Sequence, residues 1–416
     1  MHIGIHINNS FIAAATTDRN GNAILIKDES IESGKPYMNP LSIYIEDEFA
    51  YLGDKINPLI AHYGALDYAT NFLDTLSAVE TPAYKDGSGT HWNTTALIAV
   101  FLKKLKTDLR IYSDTPVKSA VVTVPDTPDP SLTEALTAAF RMAAIPLTVV
   151  LPMEKAAIEG YRIINTDNST KTMLLCYLDY HTLTLSLNTI DTANTIQNTS
   201  RISEKKLGEH YLYKRFFLLI EKRYAQITGK KIKENQRNFS HITTLVEELI
   251  RQTIIDNKAY LQLLCAVDDE VIELILTRAQ VNSIIQAYIQ EIMLFIKEAL
   301  LKNNTASEAI AIVLCAGDAR FFPYLAQQLK TTFHEEHQEL YHQAPEECLT
   351  KGAALYTATT ANPTTPSSDT GRTTPKEQQD QKPPEIPNRD HKALLDIDHL
   401  SQLIKTININ AGCETL

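Results

Sequence analysis

The sequence predicts a duplicated α/β body in two lobes, followed by a tether and a short amphipathic end. Three observations predict this. A strand-rich and then helical order runs twice along the chain, first from residue 1 and again from about residue 169. Composition changes abruptly at residue 361, and apolar spacing returns only after residue 390. A chain of 416 residues is too long for one simple core and suits two or three domains.

In the first half, "HIGIHI" predicts a strand that turns back through "NNSFIAAATT". "NPLSIYIEDEFAYLGD" predicts a further strand pair with a turn near Glu46–Asp47. "TTALIAVFLKKLKTDL" has apolar residues at i, i+3 and i+4 and predicts a helix, which feeds the strand "SAVVTVP". "DPSLTEALTAAFRMAAI" predicts a helix with proline at its start, where the missing N–H costs nothing. "LTVVL" predicts a strand and "EKAAIEGYRI" a helix. The order then repeats: a hairpin over 173–199, a helix from about 206, a long helical stretch over 241–302, the strand "AIAIVLCAG", and helices in "FPYLAQQLKTTF" and "EECLTKGAALYTA". The expected organisation is a first lobe over 1–168, a second over 169–360 with a helical subdomain at about 216–300, a tether over 361–390 and a tail over 391–416.

Composition excludes several classes. Apolar residues make up 44% and charged residues 21%, as in an ordinary globular protein. With 39 basic against 50 acidic residues, the net charge of −11 argues against a nucleic-acid-binding face. No apolar run approaches the roughly 20 residues of a membrane-spanning helix. The start "MHIGIHINNS" lacks the basic and apolar regions of a secretory signal, so a cytoplasmic protein is expected. Five cysteines without a C-x-x-C pair, in apolar surroundings such as "LLCY" and "VLCAG", predict buried thiols and no metal site.

Eight short stretches in order carry a more specific resemblance: "IGIHINNSFIA" (3–13), "YLGDK" (51–55), "AVVTVP" (120–125), "VVLPMEKAAIEGY" (149–161), "KLGEHYLYKR" (206–215), "LTRAQVNSII" (276–285), "IVLCAGDAR" (312–320) and "PEECLTKGAALYTA" (345–358). In this order and spacing the chain resembles the ATPase domain of DnaK-type 70-kDa heat-shock chaperones, a branch of the actin-like ATPases. The resemblance implies a two-lobed, duplicated, ribonuclease H-like fold whose cleft holds ATP and Mg²⁺.

It also implies where the cleft should lie, and the residues there depart from the family's pattern. Tyr177 stands at the aspartate of the second phosphate hairpin, Asp179, Tyr180 and His181 at its glycines, and Thr182 at its threonine. Glycine matters there because phosphate must approach backbone N–H groups that a Cβ would crowd. His6 stands at the aspartate of the first hairpin, and Asn8 and Asn9 replace a longer Gly-Thr-Thr run. Met153 occupies the place of the glutamate that orients the attacking water, with Glu154 one position late. Around residue 75, where the family has its catalytic lysine, "NFLDTLSAV" offers no basic residue. A transfer that works by positioning and charge stabilisation cannot lose these groups together, so hydrolysis is expected to be lost. On the adenosine side, Ala316, Gly317 and Asp318 replace a Gly-Gly-Ser turn, Arg320 remains to lie along an adenine face, and Lys258 and Arg251 on the helical stretch correspond to ribose-side basic residues. No cofactor is expected, with weak magnesium-independent ATP or ADP binding left open.

From Ala361 to Arg389 the chain holds six of its 18 prolines and almost no apolar side chains, which predicts a disordered tether. Beyond it, Leu394, Leu395, Ile397, Leu400 and Leu403 recur at helical spacing. "ALLDID" (393–398) is similar to the linker that follows the family's ATPase domain, and with so few residues after it the family's substrate-binding domain is expected to be missing. The tail is expected to dock on the body's own strand edge or on a protein partner. Membrane attachment, as in the actin-like cell-division protein FtsA, is the weaker alternative, because Asp396, Asp398 and Glu414 offset Lys392 and Lys405. The expected role is a non-catalytic scaffold or regulator of chaperone type. The alternatives are an ATP-binding chaperone-like protein with divergent chemistry and a membrane-tethered assembly protein.

Overall fold

The structure is a computed structural model that describes residues 1–28, 35–63, 66–76, 81–167, 169–233, 235–254, 258–267, 270–317, 322–361 and 402–409. Strands β1 (His2–Ile7) and β2 (Phe11–Thr17) form an antiparallel hairpin, with β3 (Ala23–Leu25) and β4 (Asn39–Pro40) on β2. A separate hairpin, β5 (Ile43–Glu46) and β6 (Phe49–Leu52), turns through Asp47, whose φ is 52°. Helix α1 (Ile56–Tyr63) and the hairpin β7 (Pro82–Lys85) and β8 (His91–Asn93) lead into α2 (Thr94–Tyr112). There follow β9 (Ser119–Val124), α3 (Pro130–Met142), β10 (Leu147–Pro152) and α4 (Met153–Tyr161). Asn93 caps α2 by accepting from Ala96 N–H at 2.9 Å, and Asp129 caps α3 by accepting from Leu132 N–H at 2.7 Å. These caps set the helix starts that the sequence pattern predicts.

The second half repeats the plan. β11 (Lys171–Leu178), β12 (Leu183–Ile190) and β13 (Ile196–Glu204) make a meander, followed by α5 (Glu209–Thr228) and α6 (Gln236–Ile254). Then come β14 (Tyr260–Val267), β15 (Glu270–Thr277), α7 (Arg278–Lys302), β16 (Ile310–Ala316), α8 (Phe322–Thr332), β17 (Glu339–Tyr341) and α9 (Pro345–Ala361). One sheet runs β10-β9-β1-β2-β3 and the other β17-β16-β11-β12-β13. Each has an antiparallel hairpin flanked on one side by two parallel strands, so the two sheets share one topology. This is the duplicated actin-like α/β fold.

The sequence expectation fails over 241–302. Two helices there are interrupted by the antiparallel hairpin β14–β15, with Tyr260 paired to Thr277 and Val267 to Glu270. Along β14 burial alternates strictly: Leu261, Leu263, Cys265 and Val267 are buried, while Tyr260 and Leu264 are exposed. Apolar residues on both faces mask the two-residue period, so the segment passes for helix. The predicted hairpin over 173–199 likewise extends to a third strand.

Each sheet carries its own core, and a third cluster joins them through α4 and α9. Although α9 lies late in the chain, it packs across β1, β2 and β9 as well as α4. The approach is close enough that a Cβ on Gly160 would sit 2.1 Å from the Cys348 carbonyl oxygen, and one on Gly352 1.8 Å from that of Ala156. Glycine is required at both positions. Of the predicted tether, Ala361 is the last residue of α9, and 362–390 fall outside the described residues.

Candidate functional site: the cleft between the hairpins

The two sheets present their first hairpin turns to one cleft, and the turns are built alike. In the first, Asn8 N–H donates to the Phe11 carbonyl at 3.0 Å; in the second, Asp179 N–H donates to that of Thr182 at 3.1 Å. In each, the leading side chain folds back onto the turn's own amides. Asn8 Oδ1 accepts from Ser10 N–H at 2.9 Å and Phe11 N–H at 2.8 Å. Asp179 Oδ1 accepts from His181 N–H and Thr182 N–H, both at 2.8 Å. A side-chain oxygen therefore sits on the N–H groups of each turn, the arrangement by which Asn and Asp stabilise turns.

Tyr177 joins the two turns across the cleft. Its hydroxyl accepts from Asn8 Nδ2 at 3.0 Å and donates to Asp179 Oδ2 at 2.8 Å. All three side chains are buried. Burial pushes the Asp179 carboxyl up to about 6, against the opposing hydrogen bonds from Tyr177 and the two amides. The N-terminus of α5 closes on the same turn, with Glu209 N–H donating to the Asp179 carbonyl at 3.0 Å and His210 N–H to that of Tyr180 at 2.8 Å. Two of the helix's unpaired amides are thereby satisfied without a side-chain cap.

His6 lies beneath this cluster, buried edge-on to Phe11 and Tyr177 at centroid separations of 5.5 and 6.2 Å. Its Nδ1 lies 3.2 Å from the Thr123 carbonyl and donates to it, while Nε2 has no hydrogen-bond partner among the described residues. Burial lowers its pKa to about 4, so the ring is neutral. His181 stands at the mouth instead and stacks on His210, with centroids 6.2 Å apart. Burial, followed by the neighbouring His210, lowers its pKa to about 4. Met153 is fully buried in the cluster that joins the sheets. Asn9 holds the residues around 74 instead of facing the cleft, donating from Nδ2 to Asp74 Oδ1 at 2.9 Å and accepting from Leu73 N–H at 3.0 Å.

Several residues that matter here have partners that no local sequence pattern signals. Glu154 is buried at the start of α4, where Ser186 Oγ donates to it at 2.6 Å and Arg201 pairs with it at 2.8 Å. Its carboxylate is thus turned toward β12 and β13. Arg201 also donates to Thr127 Oγ1 at 2.6 Å, linking the halves. Lys205 pairs with Asp74 at 2.6 Å. Burial opposes it, yet hydrogen bonds from Lys205 and Asn9 hold the Asp74 carboxyl below its usual range. The cation at this edge comes from the second half of the chain and the acid from the first. Beside the cleft a cavity of about 900 Å³ opens between Asn71 and the side chains of Tyr180, His181, His210, Tyr213 and Phe217.

On the adenosine side, Ala316 ends β16 in register with Tyr177. Gly317 has φ 111°, and a Cβ there would lie 2.0 Å from the Leu178 carbonyl oxygen. Asp318 and Arg320 lie outside the described residues. Arg251 belongs to α6, but Lys258 is exposed in the connection ahead of β14, so the expectation that both share one helix is corrected. The helix breaks at the hairpin that follows. Leu394, Leu395, Ile397 and Leu400 also lie outside the described residues, whereas Leu403 is half-buried against the first core. Among the described residues no group of three or more His, Cys, Asp or Glu side chains could hold a metal ion, and no helix is long and apolar enough to cross a membrane.

ATP and Mg²⁺, which the resemblance implies, do not fit these turns. The amides that would receive phosphate oxygens already donate to Asn8 and Asp179, and the latter is itself an acid at the place of the anion. The wider resemblance holds nonetheless: a family model described as Hsp70 protein matches residues 73–369, more than half of the chain, which therefore belongs to the Hsp70 family of heat-shock chaperones.

Proposed function

We propose that this Hsp70-family chain is a non-catalytic, chaperone-like scaffold or regulator that binds protein partners in the cytoplasm and does not turn over ATP. What supports it is the pair of self-satisfied turns, in which Asn8 and Asp179 occupy the amides and Tyr177 ties them together. A polyphosphate would have to displace a buried acid and open the three hydrogen bonds it accepts before making any of its own. The four described cysteines are free, buried thiols, in keeping with a reducing compartment.

A second reading keeps a nucleotide without phosphate chemistry. The cavity of about 900 Å³ beside the cleft favours it, since it is within the size range of small-molecule sites and has aromatic walls. Thermal unfolding with millimolar ATP or ADP, with and without Mg²⁺, separates the two. A ligand of the folded state adds roughly 2.7 kcal/mol at a hundredfold excess over its Kd. The scaffold predicts no shift in the midpoint. A shift independent of Mg²⁺ favours the second reading, and one that requires Mg²⁺ overturns the scaffold.

A further inference from the structure

The last described segment, residues 402–409, returns to the first half of the chain and settles on the outer edge of the hairpin β5–β6. Residues 402–406 form a helical turn, closed where Ile407 N–H donates to the Leu403 carbonyl at 2.8 Å. A short strand, β18 (Asn408–Ile409), then adds to β6 in parallel, with Asn408 opposite Phe49 and Ile409 opposite Ala50. Ile404 and Ile407 are buried in the same core as α2, with Leu403 and Ile409 partly buried against it, while Gln402, Lys405 and Thr406 face outward.

One side chain of the body reads the backbone of this segment. Lys103, on α2, donates from Nζ to the carbonyls of Ile404 at 2.9 Å, Lys405 at 3.1 Å and Ile407 at 2.7 Å. An ammonium has three N–H donors and all three are used. The acceptors lie at the end of the helical turn, where carbonyls lack partners within the helix and a cation is favoured. Burial lowers the Lys103 pKa, as expected for an ammonium drawn out of water to do this.

We propose that the β6 edge, the apolar slot against α2 and the Lys103 ammonium form a docking site for a short helix-turn-strand segment. Its resident ligand is this chain's own residues 402–409, bound in cis as a releasable latch. About 40 residues (362–401) separate the segment from the end of α9. A covalent connection of that length makes docking intramolecular, so each individual contact can stay weak and exchangeable. An edge strand left open would be a template for pairing with other chains, and the latch covers it. The site lies on β6 and α2, away from the cleft turns, and does not depend on whether that cleft binds nucleotide.

Hydrogen exchange on the full chain, read by mass spectrometry, tests this. The amides of residues 402–409 and of β6 should be protected to the same extent at protein concentrations a hundredfold apart. Lys103→Met should raise exchange over 402–409 by tenfold or more, with β9 and β11 unchanged as the control for folding. If that variant perturbs the control strands, Ile407→Ser provides the second case and should release the segment in the same way. Exchange of 402–409 at free-peptide rates in the parent chain would overturn the latch. Protection that grows with concentration, accompanied by a dimer in light scattering, would assign the site to a second copy and overturn the cis arrangement. Unchanged exchange in both variants would overturn the docking site.

Discussion

Asp179 is an acid placed where three hydrogen bonds fix it and burial opposes its charge. Its pKa in the folded chain is raised from 3.8 to about 6, so folding favours its protonated form. The stability it contributes is complete below the unfolded pKa and is lost as pH rises through the folded one. His6 and His181, lowered from 6.5 to about 4, act in the opposite sense, and their stability is lost as pH falls through the same window. The parent chain's profile between pH 4 and 6.5 is therefore a compromise among opposing groups. Asp179→Asn removes one of them while keeping an acceptor for the turn amides. Relative to the parent, the variant should gain stability as pH rises from about 4 to 6, by about 3 kcal/mol at most, and no further above 7. Denaturant unfolding at half-unit pH steps measures this. A difference that does not change with pH would mean that Asp179 titrates normally and that its burial carries no cost.

Among the elements, the contact of α4 with α9 sets how closely the late helix seats on the first sheet. Gly160 and Gly352 lie where a methyl group would strike the carbonyls of Cys348 and Ala156, both backbone atoms that cannot rotate aside. Gly352→Ala should therefore lower stability by about 1–3 kcal/mol or more, since overpacking here displaces a whole helix. The loss should appear in the unfolding midpoint and as faster exchange along β1, which α9 covers. A neutral substitution would show that the helix slides freely. The hairpin β14–β15 teaches a different lesson about elements. Tyr260, Leu264, Val271 and Ile275 leave apolar residues on its exposed face, so hydrophobic pattern alone does not distinguish it from helix. The Asp268–Asp269 pair between the strands was the available turn signal.

For the whole molecule, the halves meet at a few polar links around the cleft. The best-buried ion pair among them is Arg201 with Glu154, reinforced by Ser186 and Thr127. Breaking a buried pair from one side strands the other charge. Arg201→Met should cost about 3–5 kcal/mol, and adding Glu154→Gln should recover part of it, because the second change removes the stranded carboxylate. A double-mutant cycle from denaturant unfolding gives the coupling directly, and strict additivity would show that this pair does not hold the halves together. Lys205 with Asp74 bridges the same edge but is exposed, and a substitution there should change stability little.

The sequence by itself determined the duplicated fold and the chemical identity of the two turns. Strand and helix periods are properties of neighbouring residues, and whether a turn carries glycine or a side chain can be read at the position itself. It did not reveal that Asn8 and Asp179 fold back onto their own amides and meet through Tyr177, whose separation from Asn8 is 169 residues. Nor did it reveal the turn of Glu154 toward Arg201, or the seating of Ile404 against Lys103, 301 residues away. Such pairings depend on which surfaces the folded chain brings together, and no local pattern records a partner so distant along the backbone. The closed cleft and the docked tail are therefore products of tertiary structure, built from residues whose types alone allowed several other arrangements.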